Sequence, residues 1–275
     1  MGTIITLTTD FGMADAYVAA MKGVILSINP EAKLIDICHT IKPQNIPQAA
    51  FVLSTAYRFF PQNTIHLVVV DPGVGTERRA IILRTPIACF VAPDNGVLSY
   101  VIHQFIKGGL KGLINNRQQI ELEPELEAVA ITKPQFWRSP VSPTFHGRDI
   151  FAPVTARLSL GFPPTDFGET ITSVTMLPLP QPYRASDGSL VGHILHIDSF
   201  GNLITNIKGD DLPQTRQTIT IEVGNQFISG LSRTYAEGEG LLALVGSSGY
   251  LEVSLKGGSA KALLDAEVGN EVRIR

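Results

Sequence analysis

A carboxylate and a guanidinium flank a glycine-rich turn in the segment VVVDPGVGTERR (68–79). Asp71 comes directly after an apolar run that is typical of a buried strand, and Arg78 follows seven residues later. The two side chains form either a structural salt bridge or part of a site that binds a charged small molecule or an attacking water. The pair alone does not decide between these interpretations.

His146 lies in the densest polar segment of the chain, TFHGRDIFAP (144–153). Histidine is the side chain most often used for proton transfer, and an acid, an arginine and a histidine on loop segments favour a catalytic site. The alternative is a helix start stabilised by an Arg148–Asp149 pair. Gly147 is predicted to leave room beside the imidazole.

Asp10 follows the first predicted strand as Asp71 follows the third. In open α/β sheets, ligands bind beyond the carboxyl ends of the strands, so both acids are expected at a ligand-binding edge. Glycines in DFG and DPGVG would let a ligand approach the backbone closely. The alternative for Asp10 is a cap on a helix that begins near residue 14.

The segment IDSFGNLITNI places Asp198 and Asn202 around Phe200-Gly201. These residue types are ordinary in a β-turn. An aromatic tip between an acid and an amide is also suited to stacking on a nucleobase while the amide binds its edge. Both interpretations stay open.

The composition narrows the class of protein. The chain has 275 residues, 44% hydrophobic and 17% charged, with a formal net charge of −3 and no basic run, so neither nucleic acid nor an anionic membrane is an expected partner. No segment approaches the length of a membrane helix. Cys38 and Cys89 are predicted to be reduced core residues, which favours a cytoplasmic location. No dinucleotide, Walker, serine-hydrolase or zinc-peptidase motif is present, and no cofactor is expected.

The pattern of elements predicts two domains. Strands and helices alternate in the first half, which predicts an α/β N-terminal domain over 1–172 with a mostly parallel sheet. A proline-rich linker is predicted over 173–188, and short alternating strands predict a smaller, all-β, barrel-like domain over 189–275. A helix over 94–105 is expected to begin at Asp94 or Asn95. The segment 107–143 has no clear pattern.

Six motifs occur in family order along the chain: TTDFG, DPGVGTERR, APDNGVL, FHGRDIFAP, IDSFGNLITNI and GSSGYLEV. Together they resemble the S-adenosyl-L-methionine (SAM) hydroxide adenosyltransferases, which hydrolyse SAM to adenosine and are related to fluorinase and chlorinase. The resemblance implies an α/β domain, a β-barrel domain and a homotrimer. It also implies that SAM binds where the N-terminal domain of one subunit meets the C-terminal domain of the next.

The resemblance assigns roles to individual residues. A catalytic Asp-Arg-His set falls on Asp71, Arg78 and His146, and Asp10 matches the acid that binds the ribose hydroxyls. The remaining substrate-binding positions, which lie in the barrel domain, are Asp198, Asn202, Ser247, Ser248 and Glu252. Halide-using relatives have other residues in place of the acid and the histidine, and a carboxylate beside the reacting carbon repels halide, so hydrolysis is predicted.

Chemically, Arg78 stays protonated and would hold Asp71 charged and orient a water, while Asp71 or His146 takes the proton. Two rival hypotheses remain. Asp10, Asp71 and Asp94 would hold Mg²⁺ in a metal-dependent phosphohydrolase, which a chelator would inactivate. Alternatively, the chain is a non-catalytic module that binds SAM or a nucleoside without turnover.

Overall fold

Strands and helices alternate from the first described residues in the computed structural model, which describes residues 2–106, 116–213 and 219–275. The chain divides into two compact units, Met1–Leu179 and Pro180–Arg275. The expected linker over 173–188 contains two strands, one of which lies in the first unit. Along the described stretches, no helix is long and apolar enough to cross a membrane.

The first unit is built on a seven-stranded mixed sheet of order β2-β1-β3-β5-β4-β7-β8. Strands β2, β1, β3 and β5 run parallel, and β4, β7 and β8 are joined by antiparallel pairing. A separate pair is formed by β6 and β9. The strands are β1 (Ile4–Thr9), β2 (Lys33–Cys38), β3 (Thr64–Val69), β4 (Ala80–Arg84), β5 (Ala88–Pro93), β6 (Gln118–Glu121), β7 (Glu127–Ile131), β8 (Gly168–Ile171) and β9 (Ser173–Met176).

Helices cover both faces of this sheet. One core contains buried residues of α2 (Ile46–Ala56) and α3 (Ser99–His103), and the other contains those of α1 (Tyr17–Ile28) and α4 (Ala152–Ser159). Neighbouring residues of β3 divide between the two cores, with Val68 in the first and Leu67 and Val69 in the second, because side chains alternate across a strand. The predicted α/β fold with a mostly parallel sheet is confirmed.

The strand order reverses between β1 and β3, because β2 lies outside β1 on one side and β3 lies on the other. Open α/β sheets form their binding crevice at such a switch point, beyond the carboxyl ends of the strands. Asp10 follows β1 and Asp71 follows β3. The two acids therefore flank the crevice.

The second unit is an antiparallel, nearly closed, barrel-like sheet, which confirms the all-β prediction. Its main path is β14-β13-β17-β11-β12-β16-β15, and β10 pairs with β11. Apolar side chains from most of these strands and from α5 (Ala260–Leu264) fill its core. The strands are β10 (Tyr183–Arg184), β11 (Leu190–Ile197), β12 (Leu203–Lys208), β13 (Thr220–Val223), β14 (Gln226–Ser229), β15 (Leu241–Val245), β16 (Tyr250–Leu255) and β17 (Glu271–Ile274).

The predicted cap of α3 is wrong, and the alternative in which Asp10 caps a helix is excluded. Helix α1 begins at Tyr17 with Ala16 as its N-cap, which makes no side-chain hydrogen bond, so Asp10 does not cap it. Helix α3 is only five residues long and begins after Leu98. Neither Asp94 nor Asn95 caps it. Asp94 accepts hydrogen bonds from the Arg79 side chain and the Thr175 backbone. Asn95 donates to the Val70 carbonyl and accepts from the Val97 backbone.

Two helices adjoin shorter turns. A π-helical turn, Gly147–Phe151, leads into α4. Helix α2 has Pro47 in its first turn and is followed by a short 3₁₀ turn, Tyr57–Phe59. The unpatterned segment contains β6 and β7, while its residues 107–115 lie outside the described part of the chain.

Candidate active site

Asp71 is held at the end of β3 by the side chain of Asn95, whose Nδ2 donates to the Val70 carbonyl over 2.9 Å. The loop then turns back through backbone bonds from Val74 to Asp71 and from Thr76 to Gly73. This reversal directs Arg78 toward Asp71. The motif APDNGVL thus supports the loop that carries Asp71.

Arg78 grips Asp71 with two of its nitrogens. Its Nε lies 2.9 Å from Oδ1 and 3.0 Å from Oδ2, and its Nη2 also donates to Oδ2. Only 11% of the Arg78 side chain and 5% of the Asp71 side chain are exposed, so the pair is largely shielded from water. The guanidinium also lies 5.2 Å from the Phe151 ring centroid. These contacts fix the plane of the guanidinium.

The neighbouring arginine has a different partner. Arg79 donates to Asp94 and to the Ser173 carbonyl, and Asp94 also accepts from the Thr175 backbone, so this pair fastens β9 to the end of β5. The consecutive residues Arg78 and Arg79 therefore bind two different acids, Asp71 and Asp94.

His146 comes from the loop that leads into the π-helical turn. Asp149 organises that loop by accepting from the Ser142 backbone over 2.9 Å and from Arg148 over 2.7 Å, so the predicted Arg148–Asp149 pair exists. Burial, the largest influence, would raise the pKa of Asp149, but hydrogen bonds from Arg148 and the Ser142 amide together lower it. A Cβ atom at Gly147 would lie 3.2 Å from the Met21 sulfur, so glycine lets the turn pack closely on α1.

Arg78 joins His146 to Asp71. Its Nη2 lies 3.0 Å from Nδ1 of His146, and because a guanidinium can only donate, this ring nitrogen accepts. The proton of the neutral ring is then on Nε2. Burial, followed by the charge of Arg78, lowers the pKa of His146 below its ordinary 6.5, although Asp71 and Asp149 oppose this shift. The imidazole is therefore neutral at neutral pH.

Asp10 lines the same cleft as Asp71 and His146. Its Oδ2 accepts from the Gln44 backbone over 2.7 Å, and Gln44 has a φ of 65°, an unusual backbone conformation for a residue with a side chain. The loop after β2 is thereby tied to the loop after β1. Asp10 remains partly exposed toward the cleft.

The cleft has a volume of about 360 Å³ and brings Asp10, Asp71 and His146 together. Phe11, Tyr17 and Phe145 also line it and pack against one another with ring centroids 5.2–5.8 Å apart. The cleft therefore combines polar groups at the strand ends with an aromatic wall. This combination is suited to a small molecule with a charged centre and flat apolar parts.

In the second unit, Asp198 and Asn202 form a closed turn between β11 and β12. Asp198 Oδ1 accepts from the backbone of Phe200 and of Asn202, and its Oδ2 accepts from Asn202 Nδ2, each over 2.9 Å. Phe200 at the tip is 77% exposed. The turn predicted from the sequence is present, and it displays an aromatic ring on a rigid base.

The other predicted positions of this unit differ in exposure. Ser247 and Ser248 are exposed in the tight turn between β15 and β16, whereas Glu252 is buried and accepts from Tyr235 and Ser254. Desolvation, the hydrogen bond to Glu252 and the nearby charges of Glu252 and Asp198 raise the pKa of Tyr235 to about 12. Tyr235 is thus a neutral donor beside two predicted substrate-binding acids.

The acids of the rival phosphohydrolase hypothesis have other partners. Asp71 is bound by Arg78, and Asp94 is bound by Arg79. Among the residues that the structure describes, no group of three or more His, Cys, Asp or Glu side chains is arranged to hold a metal ion. The geometry therefore does not favour that hypothesis.

Two family models cover most of the chain. The model of the SAM hydroxide adenosyltransferase N-terminal domain matches residues 5–168, and that of the C-terminal domain matches residues 192–273. The chain belongs to the SAM hydroxide adenosyltransferase family. The family predicted from the six sequence motifs is confirmed.

Individual relatives of this SAM hydroxide adenosyltransferase agree with the family match. An (R)-S-adenosyl-L-methionine hydrolase of Salinispora tropica is 36% identical over 98% of this chain and 97% of its own. A crystal structure of an uncharacterized conserved protein from Thermotoga maritima has a TM-score of 0.85 at 34% identity, covering 98% of this chain and 99% of that one. A fluorinase of Nocardia brasiliensis is 28% identical over 99% of this chain and 96% of its own.

The sequence alone did not identify several residues around the site of this family member. The aromatic wall was missed because Phe11, Tyr17 and Phe145 come from separate segments, and Tyr235 was missed because it lies outside any motif. His39, which directly follows β2, was also missed. It could have been found from the sequence, because it follows a strand at the same edge of the sheet as Asp10.

Proposed function

We propose that this enzyme hydrolyses SAM to adenosine and L-methionine by in-line attack of water on the ribose C5′ carbon. The observation that carries the proposal is the direct contact of Arg78 with Asp71 and His146, both of which line the cleft together with Asp10. A guanidinium that binds an acid and an imidazole together has one fixed orientation. Such a group is suited to holding one water molecule beside a bound substrate.

The reaction needs no general acid. The water oxygen forms a bond to C5′, the C5′–S bond breaks, and its electron pair returns to the sulfonium, which leaves as a neutral thioether. The remaining requirement is that one proton leaves the attacking water. Correct placement of that water could lower the barrier by up to about 7–11 kcal/mol.

We assign acceptance of this proton to Asp71. Because Arg78 occupies Nδ1 of His146, the other ring nitrogen carries a proton and can only donate. Each carboxylate oxygen of Asp71 can accept more than one hydrogen bond, so binding of Arg78 leaves it able to accept another. His146 then orients the water or the ribose. The carboxylate beside C5′ also disfavours halide as the nucleophile.

We further propose that Asp10 binds the ribose hydroxyls and that the barrel domain binds the rest of the substrate in a homotrimer. Support comes from the partly exposed carboxylate of Asp10 in the cleft and from the rigid turn that presents Phe200. The proposed substrate-binding positions in the barrel are Asp198, Asn202, Ser247, Ser248 and Glu252.

We also propose a cytoplasmic location. Cys38 and Cys89 are free thiols, which supports it.

The test is to incubate the purified enzyme separately with the two sulfonium epimers of SAM, since the relatives' name specifies the (R) form. Products are separated and identified by mass, with and without EDTA and at low and high chloride. We expect adenosine and methionine in equal amounts, unaffected by EDTA or chloride.

Other outcomes would redirect the assignment. A 5′-chlorinated nucleoside would indicate halide transfer, and loss of activity in EDTA would restore the metal-dependent alternative. Binding of either epimer without any product would instead indicate a non-catalytic module.

A further inference from the structure

A buried histidine lies behind the Asp10 loop. Strand β2 carries one extra residue opposite β1, because Leu7 pairs with Asp36 and Thr8 pairs with Cys38. Such bulges redirect the side chains that follow them. The next residue is His39, which is 4% exposed and therefore belongs to the interior rather than to the surface.

His39 contacts the Asp10 loop at two points. Its Nδ1 lies 2.8 Å from Thr9 Oγ1, and its backbone carbonyl accepts from the Gly12 backbone over 2.7 Å. Thr9 Oγ1 in turn accepts from the Phe11 backbone over 3.3 Å. The contacts lie on both sides of Asp10, so the loop that carries this carboxylate is attached before and after it.

Asp36 determines which groups donate and which accept in these hydrogen bonds. Asp36 Oδ1 lies 2.9 Å from Nε2 of His39, outside hydrogen-bonding angles, and Asp36 Oδ2 accepts from Lys22 over 2.6 Å. A carboxylate beside Nε2 favours the proton on that nitrogen, which leaves Nδ1 as the acceptor for the Thr9 hydroxyl. The Thr9 hydroxyl oxygen is then oriented to accept from Phe11.

We propose that His39 and Thr9 are positioning residues that hold Asp10 in its ribose-binding orientation. This inference rests on the proposed function, in which Asp10 binds the ribose away from the reacting carbon. Loss of the attachment should therefore weaken substrate binding without slowing the chemical step. Such a change raises KM while kcat stays constant.

The first test removes the hydroxyl of Thr9. Thr9→Val keeps the shape but leaves the Phe11 amide and His39 Nδ1 without their partner, and we expect KM for SAM to rise about 10-fold with kcat within about twofold. Thr9→Ser, which retains a hydroxyl, should restore KM. Thr8→Val is the matched control, because Thr8 is equally buried and, among the described residues, its hydroxyl has no hydrogen-bond partner.

The second test separates the two sides of the imidazole. The amide of His39→Asn can reach the position of Nδ1, and that of His39→Gln the position of Nε2. If the Thr9 contact matters, His39→Asn should keep KM closer to that of the parent enzyme than His39→Gln does. The reverse order would mean that the Asp36 side is the important one, and would overturn the inference.

Hydrogen exchange provides a readout that does not depend on activity. Thr9→Val should increase exchange at the Phe11 and Gly12 amides relative to Thr8→Val, whether or not SAM is hydrolysed. Unchanged exchange together with an unchanged KM overturns the inference while leaving the proposed function intact. If the parent enzyme does not hydrolyse SAM, the proposed function fails, and the exchange result alone decides whether His39 and Thr9 hold the loop.

Discussion

At the scale of single residues, Arg78 is the centre of the site because it satisfies an acid and an imidazole at once. Its Nη2 contacts both Asp71 and His146, and its Nε completes the grip on Asp71. A guanidinium can do this because its donors lie in one plane at fixed angles. A lysine at this position would supply the charge without the geometry.

Arg78→Lys should therefore lower kcat by roughly 100-fold, since misplaced groups at the reacting centre reduce rates by about this factor. The measurement is the steady-state rate of adenosine release, with melting temperature recorded alongside. Arg79→Lys is the control, because that arginine binds Asp94 and the Ser173 carbonyl away from the reacting groups. It should lower the melting temperature while kcat stays near that of the parent. Equal kcat losses in both variants would contradict a special role for Arg78.

His146 should protonate at a lower pH than an ordinary histidine, because its pKa is lowered. Burial and then Arg78 lower its pKa below the ordinary 6.5, so as pH falls the ring should protonate later than an exposed histidine does. If the neutral ring is the active form, kcat/KM should decline as pH falls, with the midpoint of the decline below pH 6.5. NMR titration of the imidazole gives the pKa directly, with the signal assigned from His146→Gln.

Arg78→Gln should move that titration to higher pH. The substitution removes a charge that lowers the pKa and leaves Asp71, which raises it, without its partner. An unchanged titration in this variant would show that the arginine does not control the charge of the ring.

At the scale of elements, the loop after β3 and the loop before the π-helical turn touch through a glycine. Gly75 has a φ of 78°, and a Cβ atom there would lie 2.5 Å from the Pro143 carbonyl oxygen. Any side chain at position 75 must push the second loop away. That loop carries His146, so the backbone conformation at Gly75 affects the contact between His146 and Arg78.

Gly75→Ala should lower kcat by at least about 10-fold, since displacement of a catalytic group by about 1 Å is costly. The control is Gly161→Ala, because Gly161 also has a positive φ of 94° but has nothing within 4 Å of its Cβ position. Both variants should lose some stability through backbone strain. If Gly75→Ala loses no more activity than Gly161→Ala, the contact between the loops is not important.

Much of this arrangement could be predicted from the sequence, because strands and short turns depend on residues that are close together in the chain. The apolar run before Asp71 and the glycines after it predicted a strand end and a returning arginine. The contact between Arg78 and His146 spans 68 residues, so only the family motifs linked them. Asp94 and Asn95 were assigned to a helix cap because their residue types suit it, whereas tertiary contacts with Arg79 and Val70 take both side chains.

At the scale of the whole molecule, the family match extends over both units, while the described cleft is lined by residues of the first unit alone. The proposed function assigns the remaining substrate-binding groups to the barrel. In the proposed trimer, each site takes its catalytic residues from one subunit and Asn202 from the next. A ring of identical, head-to-tail contacts is the arrangement that closes such an assembly.

Complementation tests this directly. Asp71→Asn and Asn202→Ala should each be strongly impaired alone. When both chains are co-expressed with different tags and mixed trimers are purified, each mixed ring has one junction of three that joins an intact first unit to an intact second unit, so about a third of the sites should be intact. Activity should recover to about that fraction of the parent enzyme. Trimer formation is measured in parallel by sedimentation.

The matched control co-expresses Asp71→Asn with His146→Ala. Both changes lie in the first unit, so no mixed site receives an intact catalytic set, and activity should stay at background. Recovery in the first mixture but not in the second requires that two chains build each site. If neither mixture recovers although mixed trimers form, each chain must supply all the groups of its own site, and Asn202 would then have to reach the cleft of its own subunit.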